Sequence, residues 1–247
     1  MRQGGGVNER VALVTGASGA LGAEIARLLD GKGYSVALHY AHHPEPVDEL
    51  RSELSHPSLA VQADVGDWDS VRAMHRTVAE KLGAVSVLVN SGAVRRDGLM
   101  ATQSVQEWTE TIQVNLVGSF HTARAVLPQM LRSRWGRVVN VVSPAGMLGS
   151  RGQTAYSASK AGVIGMTRSL ALECGRRNVT VNALSPGFMP TSLTSGVPDE
   201  VAEEFRRRTA TRGFASPADV AMGVSLLVDS DYITGQVLSI DGGLVVS

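Results

Sequence analysis

The chain has 247 residues, 43% of them hydrophobic, and its 23 Lys+Arg are balanced by 23 Asp+Glu. That composition provides for a substantial core in one large α/β domain or two small ones, and excludes a disordered chain. Zero formal net charge excludes the global basic field that favours nucleic acid, and there is no acidic tail.

A single cysteine, Cys174, permits neither an internal disulfide nor a thiolate cluster, so a reducing compartment is expected. The opening MRQGGGVNER lacks the apolar centre of a signal peptide, and no apolar run approaches the ~20 residues of a spanning helix. The expectation is a soluble, cytoplasmic protein with a flexible tail over residues 1–8 and one domain over 9–247.

The first strand, RVALVTG, leads into the turn GASGALG and a helix. Gly16, Gly19 and Gly22 allow the backbone to turn tightly and approach a ligand without Cβ obstruction. The helix start then presents unpaired N–H groups and partial positive charge, which suits a pyrophosphate. The second strand, YSVALHY, ends at His39, Tyr40, Ala41, His42 and His43. An acidic residue there would bond the ribose 2′-OH of NAD and repel the 2′-phosphate of NADP. None is present, which leaves histidines that either hydrogen-bond a phosphate or occupy a solvated loop. No carboxylate or cysteine nearby completes a ligand set, so no metal is expected.

The third strand, LAVQADV, carries Asp64, which either accepts a hydrogen bond from an adenine amine or caps a helix starting near Asp67. After the fourth strand, VSVLVNSG, residues from Ser104 to Arg134 read as one long helix interrupted only by Pro128. The fifth, GRVVNVVS, ends in Ser143 and runs into a glycine-rich loop and a helix of small residues. The sixth, NVTVNALSPG, is followed by the most polar insertion, Thr191 to Gly213. Open α/β sheets place substrate lids at such positions, although an ordinary solvated helix has the same composition. GQVLSIDGG is the seventh strand. Near-continuous apolar strands alternating with helices predict a single-domain, doubly wound Rossmann fold of about seven parallel strands, with helices on both faces.

Tyr156 and Lys160 stand four apart on the helix after Ser143, so they share one face. An ammonium there stabilises the phenolate and lowers the tyrosine pKa from its usual ~10, giving a usable proton donor. The Ser143 hydroxyl, at the strand end beside the same cleft, can donate to a carbonyl oxygen as negative charge develops on it. Hydride transfer is the chemistry in which a nucleotide and a tuned tyrosine fit together.

Taken together, TGASGALG, DV at 64–65, VNSGAVRRDGLM, IQVNLVGSF, GQTAYSASKAG, VNALSPGFMPT and DYITGQVLSIDGG resemble the short-chain dehydrogenase/reductase family, and within it the bacterial β-ketoacyl-acyl-carrier-protein reductases. The resemblance spans Arg10 to Gly243. It implies that Tyr156 is the catalytic acid and that Lys160 lowers its pKa while bonding the nicotinamide ribose. It further implies that Ser143 orients the carbonyl and that Asn115 holds a water relaying protons through Lys160. Cofactor contacts are implied for Gly16, Ser18, Gly19, Leu21, Gly22, Tyr40, Ala41, His42, Asp64, Val65, Asn90, Ser91 and Gly92. Pro186, Gly187, Met189 and Thr191 would wrap the nicotinamide end.

Three departures from the family pattern are visible. Gly19 stands where many ketoacyl reductases have an arginine for the 2′-phosphate, and Ala20 replaces a turn glycine. The family's NNAG reads Asn90-Ser91-Gly92-Ala93, and Pro144 follows Ser143, favouring an extended serine and removing an N–H.

The activity implied is NADPH-dependent reduction of a 3-oxoacyl group on a thioester in fatty acid or polyketide biosynthesis. A reductase of another ketone, and a silent partner subunit, are the alternatives. An acidic acyl carrier protein is the implied partner. Arg134 and Arg177 stand at positions matching carrier-binding arginines, with Arg132, Arg137 and Arg176 beside them; complementing helix dipoles is the other reading. A homotetramer is implied, or a heteromer with a related chain.

Overall fold

The computed structural model describes residues 10–191, 194 and 199–246. The tail over 1–8 and part of the polar insertion, residues 192–193 and 195–198, lie outside the described residues. The elements in chain order are β1 (Val11–Thr15), α1 (Ala20–Gly31), β2 (Ser35–Tyr40), α2 (Glu45–Glu53), β3 (Ser58–Gln62), α3 (Trp68–Lys81) and β4 (Val85–Asn90). Next come α4 (Val105–Ile112), a π-helical turn (Gln113–Val117), α5 (Gly118–Ser133), β5 (Gly136–Val141), α6 (Ala145–Leu148) and α7 (Thr154–Cys174). A 3₁₀ turn (Gly175–Arg177), β6 (Val179–Pro186), α8 (Asp199–Arg208), α9 (Pro217–Asp229) and β7 (Val237–Ile240) complete the described chain.

All seven expected strands form one parallel sheet in the order β3-β2-β1-β4-β5-β6-β7. Every residue of β1, β5 and β6 is buried, as strands covered on both faces require. On one face, Ile25 and Leu29 of α1 pack with Val224 and Leu227 of α9 over Val14, Val36 and Leu184. On the other, Met74 of α3, Val126 and Met130 of α5 and Cys174 of α7 cover Leu13, Leu88 and Val181. The strand order reverses between β1 and β4, so a crevice opens there at the carboxyl ends of the strands.

Two stretches differ from expectation. The long helix is α4 and α5 joined by the π turn, where the Gly118 N–H reaches back to the Gln113 carbonyl. Periodicity hides that extra residue, because the apolar spacing continues on either side. Pro128 lies inside α5 without ending it; the helix stops where Arg134 turns left-handed, at φ 55. After Ser143 the loop tightens into α6, because Pro144 at φ −50 is preset for a helix start.

The parallel topology also fixes where the arginines sit. Arg134 precedes β5 and Arg177 precedes β6, so both lie at the amino-terminal edge of the sheet. The crevice is at the opposite edge, roughly 20 Å away for six-residue strands. Docking beside this chain's own cleft is therefore not what these two exposed residues are placed to do. Arg137 is no surface residue either: it is buried in β5, bonds the Val228 carbonyl at 3.0 Å, pairs with Asp231 and stacks on Trp135 at 4.4 Å. Among the described residues no helix is long and apolar enough to cross a membrane.

Candidate active site

The glycine turn is close-packed backbone. Gly16 has φ +67, and a Cβ on it would lie 2.6 Å from the Gly92 Cα. A Cβ on Gly22 would lie 2.2 Å from the Gly16 carbonyl oxygen. The exit of β4 is pinned against the turn by Thr15, whose hydroxyl accepts the N–H groups of Ser91 and Gly92, each at 3.1 Å. Gly19 caps α1 with no side-chain hydrogen bond and no acidic residue follows in the first turn, so the helix N–H groups remain available to an anion.

His39 supports the same turn from beneath. It is 3% exposed, accepts the Gly16 N–H on Nδ1 at 3.2 Å, and donates from Nε2 to the Ala63 carbonyl at 3.0 Å. That pair of bonds fixes a neutral tautomer, and burial pushes its pKa down. Read from sequence as a phosphate ligand or a solvated residue, His39 is neither; His42 and His43 are the exposed ones.

A cavity of about 1180 Å³ opens along the strand ends. Its walls include Gly16, Ser18, Gly19, Leu21, Gly22, Ser91 and Gly92 on one side, and Pro186, Gly187, Met189 and Thr191 at the far end. Ser143, Tyr156 and Lys160 line it between them. Tyr156 and Lys160 do share a face of α7, with the Lys160 Nζ 5.6 Å from the tyrosine ring centre. That ammonium donates to the Val141 carbonyl at 2.9 Å. The Ser143 oxygen accepts the Ala145 N–H at 3.2 Å, and its hydroxyl acts on the Tyr156 phenol within the same cavity.

Both groups of the Tyr156–Lys160 pair are shifted by burial. Burial raises the Tyr156 pKa, opposed by the Ser143 hydroxyl and the Arg95 charge, while the Asp97 charge adds to the rise. Burial also lowers Lys160 to about 8. Burial is the largest influence on both groups.

Other expected site residues lie elsewhere. Asn90 turns its side chain into the interior, donating to Asn140 Oδ1 at 2.9 Å and accepting from Thr122 at 2.7 Å. Asn115, 1% exposed in the π turn, accepts the Val94 N–H and donates to the Val94 carbonyl, both at 2.9 Å, and donates to Ser159 at 3.2 Å. Its amide clamps a loop, and Asn115 is not on the wall of the cavity. Val65 packs against Gly118 in the core. The helix cap near Asp64 is Asp67, which accepts the Ser70 N–H at 2.6 Å; Asp64 instead accepts the Gly66 N–H at 2.8 Å and stays exposed. Tyr40, Ala41 and His42 stand at the β2 end, beyond the walls of the cavity.

Sequence reasoning missed the polar and charged side chains of the substrate half: Arg95, Asp97, the Gln153 amide and, from α8, Glu204 and Arg208 all line the cavity. It also missed Phe188, which stacks on Phe205 of α8 at 5.4 Å and so seats that helix over the opening. The signal available was the charge-rich VRRD at 94–97, separated from the end of β4 by three residues.

Glycines whose Cβ positions are taken by neighbouring backbone, an uncapped helix start and a strand-order reversal fit a dinucleotide. The short chain dehydrogenase family model matches residues 10–202, and the chain belongs to that family. It is an oxidoreductase acting on ketone or alcohol groups with a nicotinamide cofactor.

Among individual relatives, the chain is 40% identical to the 3-oxoacyl-[acyl-carrier-protein] reductase FabG of Staphylococcus aureus (strain N315), covering 94% of this chain and 97% of that protein. It is 38% identical to nodulation protein G of Rhizobium sp. (strain N33), over 95% of this chain and 96% of that one. The 3-oxoacyl-[acyl-carrier-protein] reductase of Synechocystis sp. is also 38% identical, over 96% and 97% of the two chains.

Proposed function

We propose that this protein reduces a 3-oxoacyl thioester, carried on an acyl carrier protein, to the 3-hydroxyacyl form with NADPH. The observation that carries the reading is the meeting of Ser143, Tyr156 and Lys160 with the glycine turn on the walls of one cavity. The curated relatives named for this reaction give its substrate class.

Gly16, Ser18, Gly19, Leu21 and Gly22 would hold the pyrophosphate, and Pro186, Gly187, Met189 and Thr191 the nicotinamide end, with Ser91 and Gly92 between. When bound, the dihydronicotinamide supplies a hydride to the carbonyl carbon. Ser143 donates a hydrogen bond to the carbonyl oxygen, beside the Tyr156 phenol on the same cavity wall. Tyr156 gives its proton to that oxygen, and the Lys160 ammonium stands within the same buried pocket to compensate the charge left behind. NADPH rather than NADH follows from a β2 end that carries Tyr40, Ala41 and His42 and no carboxylate.

Three further readings belong with this one. Residues 191–213 serve as a lid, seated through Phe188 and Phe205. The protein works in the cytoplasm, in keeping with one free, buried cysteine. Copies assemble as a homotetramer, which would cover apolar side chains left open on α5 and α7, such as Phe120 and Leu172.

The test is NADPH oxidation with an acetoacetyl group on a carrier protein, on a small pantetheine thioester, and on a free ketone. Turnover of both thioesters, several-fold better on the carrier, is expected. Activity confined to free ketones would replace this reading with a small-molecule ketone reductase.

A further inference from the structure

Arg95 enters the cavity with a cation that the reading above does not use. Its side chain is 16% exposed, and its Nε lies 3.1 Å from Asp97 Oδ1. Asp97 is held in turn by the Gln153 amide at 3.1 and 3.3 Å, and the Gly98 N–H bonds the Gly152 carbonyl at 2.8 Å. Gln153 directly precedes α7, three residues before Tyr156. On the other side of Arg95, Val94 is clamped through both peptide groups by Asn115. Asn115 donates to Ser159, whose hydroxyl donates to the Tyr156 carbonyl at 2.7 Å. A circuit therefore leaves the Tyr156 turn by hydrogen bonds through Ser159 and Asn115 to Val94, and continues along the backbone to Arg95 and its ion pair with Asp97. It returns through Gln153, whose carbonyl accepts the Ser157 N–H at 2.7 Å.

So closed a circuit fixes the guanidinium relative to the phenol, which a free surface arginine could not achieve. We propose that Arg95 is a positioning residue for the reaction: its guanidinium, set by Asp97 and Gln153, stabilises negative charge on the Tyr156 oxygen. This rests on Tyr156 being the proton donor.

The charged groups facing the cavity are Lys160 on α7, Arg95 and Asp97 on the loop after β4, Arg151 before α7, and Glu204 and Arg208 on α8. Lys160 is directed at the Val141 carbonyl, whereas the Arg95 and Asp97 charges act on the phenol in opposite senses. An opposed pair at one site is a tuning device: the arginine favours the phenolate, and the carboxylate that positions it limits how far.

The experiment follows phenolate absorbance in an alkaline titration of the cofactor-free protein, with Tyr156→Phe subtracted to isolate one of the four tyrosines. The same variants are then run in alcohol oxidation against pH, where Tyr156 must accept a proton. Arg95→Gln should move both midpoints up by about one pH unit, Asp97→Asn should move them down, and Arg95→Lys should stay near the parent. Loop damage would shift Arg95→Gln and Asp97→Asn in the same direction, and that result overturns the proposal. So does an Arg95→Gln variant with a raised KM and an unmoved pH profile, which would make Arg95 a substrate-anion contact. Full turnover by Tyr156→Phe would sink the reading of the site itself, whereas the titration needs no turnover and judges Arg95 separately.

Discussion

From Gly16 to Gly92 the cleft is lined by backbone packed on backbone, whereas around Arg95, Asp97 and Gln153 it is lined by side chains that hold one another. The first half is rigid because no Cβ fits at Gly16 or Gly22, and what it offers a ligand is backbone N–H groups rather than side chains. The second half owes its shape to charges and amides, and any of these can be exchanged without disturbing a strand. A fold of this kind keeps one cofactor geometry while its substrate half diverges, which is the separation of fold from site expected on physical grounds.

The largest break in that comparison is at Tyr156, the proposed proton donor. Tyr156→Phe removes one oxygen from the side-chain half and leaves the turn untouched. The expected result is a fall in kcat of about 10²–10⁴-fold, with cofactor affinity by fluorescence titration unchanged. A loss of cofactor binding equal to the loss of kcat would mean the two halves are not separable.

Gly22→Ala attacks the other half. Its Cβ would stand 2.2 Å from the Gly16 oxygen, so the turn itself must shift. Overpacking of this kind costs about 1–3 kcal/mol, and cofactor affinity should drop at least as far as the urea midpoint shows stability to fall. Normal affinity in a destabilised variant would show the turn to be scaffold alone.

Lys160 tests the pH behaviour of the side-chain half. Its folded pKa is depressed to about 8, against roughly 10.4 in an unfolded chain. Between those values the unfolded state holds more protons, so stability rises with pH through the window. Below about 8 the native state bears the full cost of a buried ammonium. Lys160→Met lacks that cost, so its stability relative to the parent should be greatest at neutral pH and shrink as pH rises through the window. Urea unfolding at stepped pH checks this; a constant difference would show that the ammonium is not desolvated.

The smallest effect is expected from Gly19→Arg, which adds a side chain to the backbone half where one fits. Gly19 is extended, at φ −89 and ψ 155, and a Cβ there would have the Gly16 oxygen as its nearest neighbour, at 3.4 Å. An exposed ion pair is worth about 0.2–1 kcal/mol, so a few-fold gain in NADPH over NADH affinity is expected. An equal gain for both cofactors would place the new arginine away from the 2′-phosphate.

The same contrast explains what the sequence made legible. Strands, glycine turn and the Tyr156–Lys160 spacing are periodic or local, and each reads correctly. Asn90 and Asn115 sit in stretches that look like site residues, but their partners, Asn140 and Val94, are 50 and 21 positions away. Nothing local says that an amide at a strand end turns inward. His39 is similar: its burial depends on Gly16 and Ala63 meeting over it. The edge position of Arg134 and Arg177 was readable, since a residue preceding a parallel strand lies at the end away from the crevice; motif position alone does not carry that information.

The π turn at Gln113–Val117 has a consequence for insertions and deletions. Removing one residue from it would regularise the helix and rotate α5 about its axis by roughly 100° relative to α4. Val126 and Met130 would leave the sheet, and the Asn115 clamp on Val94 would open with them. A substitution anywhere in this stretch exchanges one side chain, but a change of length reorders a whole face of the molecule. Chain length between Ser104 and Arg134 is therefore fixed more tightly than the identity of most residues within it.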